Sequence, residues 1–275
     1  MKRELGCRDF ATALAAMMIV GGLIACGDDD SKLRTEQMAF PADRADYLAH
    51  AALPHLGELP GTGWEVATRD KFSTASGDDA ETRAFFQHEP ACTALTEVPG
   101  FYGSAADKTS RTARAEVSFQ RPGRGLIAMP AGVEVQLEID ETAAEIDKSW
   151  KAAKPLFDSG DWQRCMLKAI EHATPATNTP KLSYESGTAS ATSPRGGVAV
   201  AFDFAAQIST VKVRGSMEFY FWAYSNAQVT VIFLGGHHDF TPEEIAATLA
   251  AVDNAVNTAN EREPDSRATI ALVTP

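Results

Sequence analysis

Between Val198 and Leu234 the chain repeats with a period of two residues. Val198, Val200, Phe202 and Phe204 alternate with Ala199, Ala201 and Asp203. Val211 to Tyr224 and Ala227 to Leu234 continue as extended segments. Ser209-Thr210 and Ser225-Asn226 are the only breaks, and a two-residue break is the length of a tight hairpin turn. Successive residues of a strand point to opposite faces, so such a run is compatible with a sheet and little else. Three strands joined by short turns predict an antiparallel meander.

Two earlier segments show the same alternation. Ala113, Ala115, Val117 and Phe119 alternate with Arg114, Glu116 and Ser118. Val133, Val135, Leu137 and Ile139 alternate with Glu134, Gln136 and Glu138. This pattern predicts one buried face and one wet face. A further short strand is expected near Leu182–Glu185.

Helical periodicity lies elsewhere. Tyr47, Leu48, Ala51 and Ala52 share one helical face, with a stop before Pro54. Leu59-Pro60-Gly61-Thr62-Gly63-Trp64 reads as a turn leading into an extended segment. A helix is expected through Phe85 and the Cys92–Leu95 region. Ile146, Trp150, Ala153 and Phe157 form an apolar stripe behind an Asp140 cap, with a kink or an end near Lys154 because Pro155 follows. The next helix places Trp162, Cys165, Met166, Ala169 and Ile170 inward. Thr241-Pro242-Glu243-Glu244 is a capping box with Pro at the first helical position, Phe240 and Ile245 form a staple, and Ile245, Leu249, Val252 and Val256 make the buried stripe. Helices and strands are segregated, so the predicted class is α+β: an antiparallel sheet flanked by helices in a single domain.

The first 26 residues read as an address. Lys2, Arg3 and Arg8 precede an uncharged run from Phe10 to Ala25, which is shorter than the ~18 residues of a spanning helix but suits a signal peptide. Leu23-Ile24-Ala25-Cys26 fits a lipobox, in which the cysteine is acylated and becomes the new N-terminus. Several acyl chains on one residue anchor stably where one does not. The expected organisation is a lipoprotein signal peptide over 1–25, lipidated Cys26 and a polar tether over 26–40, the α+β domain over 41–260, and a loose tail over 261–275 that includes the apolar run Ile270–Val273. The expected location is the extracytoplasmic side of a membrane. A net charge of −12 argues against nucleic acid, which requires clustered Lys and Arg.

Cys7 leaves with the signal peptide, so Cys92 and Cys165 remain. Outside the cytoplasm such a leftover pair is expected to form a disulfide. There is no Cys-x-x-Cys spacing, and a Cys92 nucleophile served by His88 would be consumed by the bond.

Catalytic motifs are missing from the chain: no Gly-x-Ser-x-Gly, His-Glu-x-x-His, P-loop or dinucleotide fingerprint occurs. His237-His238-Asp239 has metal-ligand residue types, but adjacent side chains diverge and no third ligand is evident, so a polar loop is the reading taken and no metal or cofactor is expected. One candidate binding surface stands out. Lys212, Arg214, Glu218, Tyr220, Trp222 and Tyr224 alternate with Val211, Val213, Met217, Phe219 and Phe221. Aromatics with a few charges on one sheet face suit a ligand with apolar and anionic parts. The competing reading, which the pattern favours, is a sheet covered on both faces with the charges at the strand end in solvent.

Taken together, the lipobox at Cys26, the Leu59–Trp64 turn, Glu89-Pro90-Ala91-Cys92, the strands Ala115–Phe119 and Val133–Ile139, Trp162-Gln163-Arg164-Cys165 and the closing meander with its helix resemble actinobacterial-type lipoproteins related to the extracellular sensor domain of PknH-type receptor kinases. The resemblance spans about residues 41 to 258. It implies an antiparallel sheet flanked by helices and a cleft for an unidentified ligand, and it supplies no catalytic residues. The chain departs from that type in having one mature cysteine pair where those domains carry two, and in lacking a kinase and a membrane span, so signalling would run through a partner.

The expected function is therefore a membrane-anchored extracytoplasmic ligand-binding or sensor module, not an enzyme. Its expected partners are the lipid membrane through Cys26 and a small ligand or an envelope protein. A structural envelope lipoprotein bound to a protein or to the cell wall is the second reading, and an envelope hydrolase using His237 or His238 is the third.

Overall fold

Among the described residues, the Leu59–Trp64 turn leads into a strand and Ser225-Asn226 joins two. The structure, a computed structural model, describes residues 44–69, 80–97, 111–123, 130–140, 142–173, 181–190, 193–208, 211–236 and 239–261. Cys26 and its tether, Ser209-Thr210, His237-His238 and Ile270–Val273 lie outside the described residues.

The strands are β1 (Glu65–Arg69), β2 (Arg111–Arg121), β3 (Ala131–Asp140), β4 (Lys181–Ser190), β5 (Val198–Ile208), β6 (Val211–Tyr224) and β7 (Ala227–Gly235). They form one antiparallel sheet in the order β1-β2-β3-β7-β6-β5-β4. The predicted meander is β5-β6-β7, and Ser225, with φ 54°, supplies the left-handed residue of its second turn. The helices are α1 (Ala45–Ala51), α2 (Ala80–His88), α3 (Ala143–Ser159), α4 (Asp161–Ala173) and α5 (Pro242–Glu261). The class is α+β in a single domain.

The two faces of the sheet are covered differently. On one, Phe157 of α3 and Trp162 of α4 pack on Phe219 and Phe221 of β6, with Trp162 edge-on to Phe219 at 4.5 Å between centroids. On the other, α1 and α5 pack on the face that carries Val133, Val135, Leu137, Val229 and Val231. The capping box of α5 is present: Glu244 N donates to Thr241 Oγ1 at 3.2 Å, and Thr241 N donates to Glu244 Oε2 at 3.0 Å.

The described structure corrects four local expectations. In α1 the buried stripe is Ala45, Leu48, Ala49 and Ala52, while Tyr47 and Ala51 are exposed. Small Ala45 and Ala49 let the helix lie close to β2, a role that their weak hydrophobicity hides in the sequence. The second helix stops at His88, and Cys92 and Leu95 lie in two short 3-10 turns instead. There the Glu89 carboxylate accepts from Ala91 N at 3.1 Å, and Pro90 has no N–H with which to continue the helix. Helix α3 runs through Pro155 to Ser159, because Pro155 lies on its exposed face where water can satisfy the freed carbonyl. Finally, β2 and β3 have no wet face: Glu116, Ser118, Glu134, Gln136 and Glu138 are all buried.

Cys92 and Cys165 form the expected disulfide, with 4.7 Å between their Cα atoms. It ties the turn after α2 to the inner face of α4.

Candidate functional site

The six residues proposed from β6 share one face of the strand but meet different neighbours along it. Trp222 is completely buried and donates from Nε1 to Asp253 Oδ1 of α5 at 3.1 Å. Tyr224 is also buried, and its hydroxyl donates to Asn257 Oδ1 at 2.9 Å. Asp253 in turn accepts two bonds from Arg195, at 2.6 and 3.0 Å, and the Arg195 guanidinium lies 4.4 Å from the Tyr224 ring centre. These two aromatics belong to the α5 interface, where Asp253 and Asn257 take their polar atoms. Lys212 and Arg214, at the other end of the strand, are exposed and both pair with Glu185, at 3.2 and 3.1 Å. Glu218 and Tyr220 lie between. The Tyr220 hydroxyl donates to Glu218 Oε2 at 2.6 Å, and burial, reinforced by that carboxylate, pushes its pKa upward. Glu218 also lines a shallow depression of about 220 Å³ with Ser186, Asp203 and Ser216.

The sequence reading missed a second clamp, on β2. Arg121 is buried, and its guanidinium donates to both Glu244 oxygens, at 2.9 and 3.2 Å, and to the Asp239 carbonyl at 2.6 Å. It lies 4.5 Å from the Trp64 ring centre and 5.3 Å from that of Phe240. Gly61, at φ +87°, turns the chain into Trp64, and a Cβ there would sit 3.1 Å from Arg121 Nη1. This cluster binds the start of α5 to the sheet. Both terminal nitrogens of the guanidinium meet acceptors within the chain, which is the behaviour of a structural anchor.

A different arrangement occupies the opposite face, across β2, β3 and β7. Strand register places Arg114 opposite Glu138 and Glu138 opposite Gln228. The next row is Glu116, Gln136 and Thr230, and the third is Ser118, Glu134 and Ile232. Directly opposed residues share a face with Cβ atoms about 5 Å apart, so these nine form a three-by-three grid. Eight of the nine are polar. Seven of those eight are buried, with Gln136 at 1% and Glu134 at 2% exposure, and Arg114 is half-buried.

The electrostatics of the grid are uneven. Arg114 reaches Glu116 at 3.2 Å and Glu138 at 3.7 Å, so its one positive charge serves two carboxylates. Glu134 accepts from the Gln136 amide. Burial above all, then the negative charge of Glu116, raises its pKa from the ordinary 4.5 to about 8, against the lowering effects of Gln136 and Arg114. It is therefore largely protonated at neutral pH. Gln136 Oε1 and Gln228 Nε2 are buried and meet no hydrogen-bond partner among the described residues. A buried polar atom without a partner costs about 1–3 kcal/mol. An acceptor and a donor of that kind beside a carboxyl group with a raised pKa make this the candidate site among the described residues. The sequence carried the signal: six of these eight residues are the polar half of the β2 and β3 alternation, but alternation by itself reads as exposure.

Fold and site together define an α+β domain with a polar, partly unsatisfied sheet face. No family model matches the chain, and no curated protein matches it. Among solved structures, the crystal structure of the extracellular domain of PknH from Mycobacterium tuberculosis aligns with a TM-score of 0.42 and 11% sequence identity. The alignment covers 81% of this chain and 99% of that one. The resemblance is one of fold, and it is distant.

Proposed function

We propose that this chain is a lipid-anchored extracytoplasmic binding module that captures a small polar ligand on the β2-β3-β7 grid and performs no catalysis. The observation that carries the reading is the pair of buried, unpartnered amide atoms, Gln136 Oε1 and Gln228 Nε2, beside Glu134. A ligand that supplies a donor to the first and an acceptor to the second recovers the free energy that both atoms forfeit in the empty protein. Sensing fits such a site, because ligand binding changes the protonation of Glu134 in the middle of the sheet.

Native mass spectrometry of the oxidised 27–275 fragment tests the binding. The expected spectrum carries bound mass for the wild type and none for the Gln136→Leu/Gln228→Leu variant. A bare polypeptide in both samples removes the support for the reading. A carboxyl with a raised pKa is also the property of a general acid, so esterase, peptidase and glycosidase substrates belong in the same study. Turnover that disappears in Glu134→Gln would replace binding with catalysis.

The anchor is tested separately. Wild-type protein is expected in the membrane fraction and to shift into detergent phase. Cys26→Ala is expected in the aqueous phase, because the acyl chains that hold the protein have no attachment point. Equal partitioning of the two forms would contradict the lipobox.

A further inference from the structure

We propose that the ligand of the β2-β3-β7 grid is a small organic ammonium bearing a hydroxyl or carbonyl oxygen, its N–H groups on Glu134 and Gln136 Oε1 and its oxygen on Gln228 Nε2. The proposal rests on the binding reading above and gives it a chemical class.

The sign of charge follows from the residues present. Three carboxylates, Glu116, Glu134 and Glu138, share the face with one guanidinium, and Arg114 is already engaged by Glu116 and Glu138. Glu134 receives a hydrogen bond from the Gln136 amide and lies next to another negative group. An anion would add to an excess of like charge, whereas a cation offsets it. Among the described residues no group of three His, Cys, Asp or Glu side chains is placed to hold a metal ion, which favours an organic cation.

The second group on the ligand follows from Gln228. Its free atom is the amide nitrogen, a donor, so the ligand must present an acceptor there. Gln136 and Gln228 are diagonal neighbours on adjacent strands, with Cα atoms about 7–8 Å apart. Both side chains are long, so their free ends address one molecule whose nitrogen and oxygen are separated by two or three bonds.

Binding also moves a proton. With a pKa of about 8, Glu134 is about 90% protonated at pH 7, and an adjacent ammonium favours its charged form. The proton then leaves to the buffer, so binding releases up to about 0.9 proton per ligand.

The probes are two matched pairs, ethanolamine with ethylene glycol and glucosamine with glucose, each pair differing by an ammonium in place of a hydroxyl. They are titrated calorimetrically into the detergent-solubilised mature chain at pH 7, in two buffers of different ionisation enthalpy. The expected result is that at least one amine binds ten-fold or more tightly than its hydroxyl partner and releases close to one proton. Glu134→Gln is expected to abolish both the preference and the proton release. Equal affinity within both pairs overturns the ammonium class and leaves the binding reading standing. No saturable binding by any of the four also overturns the class. If the Gln136→Leu/Gln228→Leu variant then melts at a lower temperature than wild type, the two amides are already satisfied in the folded chain, the grid is a packing feature, and the binding reading falls with the class.

Discussion

Ligand-free protein is expected to lose stability as the pH rises from 4.5 to 8.5, and the Glu134→Gln variant is expected to be spared that loss. The folded-state pKa of Glu134 is about 8, against an ordinary value of 4.5 that the unfolded chain restores. A raised carboxyl pKa means that the folded state holds its proton more tightly. The stability linked to that proton is complete below pH 4.5. It drains away between pH 4.5 and 8, and the loss is finished above the folded value. At 1.36 kcal/mol per unit, the stability difference between wild type and variant changes by up to about 5 kcal/mol across that window. Parallel urea titrations of the two proteins at pH 5 and pH 8.5 measure it. Glu116, Glu138 and Arg114 face the same grid, but they are common to both proteins, so their own titrations largely cancel in the comparison. A difference that stays constant with pH would mean that Glu134 ionises normally, and the electrostatic description of the grid would then be wrong.

The Cys92→Ala/Cys165→Ala variant is expected to be less stable than wild type by about 4 kcal/mol, the chain-entropy value for a closed loop of this size. The sequence separation is 73 residues, and the loop holds β2, β3 and α3. Unlinked, the unfolded chain recovers the freedom of that whole segment. The expected drop in urea midpoint is roughly 1.5 M. Both sulfurs belong to fully buried residues, so added thiol is expected to reduce the native protein far more slowly than the urea-unfolded one. Unchanged midpoints would show that the turn after α2 and helix α4 are held together by packing alone.

The fold was largely legible because its signals are local. Alternation located β2, β3, β5, β6 and β7, and Thr241-Pro242-Glu243-Glu244 marked the start of α5 to the residue. The pairing of Cys92 with Cys165 was legible from the cysteine count. The site was less legible. Trp222 and Tyr224 looked like members of a groove because a strand reveals which residues share a face but not what covers that face. In the fold, Asp253 and Asn257 of α5 take their polar atoms. Glu134, Gln136 and Glu138 looked wet because polar residues in alternation normally are. Only the pairing of β3 with β7, strands almost a hundred residues apart, brings Gln228 and Thr230 beside them, and no local pattern encodes that neighbour. Arg121 was passed over for the same reason, since its partner Glu244 lies 123 positions away.

The junction of β3 with β7 has a consequence for how the chain reaches its final state. A polypeptide is synthesised N-terminus first, so β2 and β3 exist well before β7. During that interval β3 has an open edge, and an open edge recruits strands from other chains. Had it been apolar on both sides, it would have been an adhesive surface. Glu134, Gln136 and Glu138 interrupt the apolar run at every second position, and charges so placed deter intermolecular pairing. The same three side chains that form the middle column of the finished grid thus protect the nascent strand until its partner arrives.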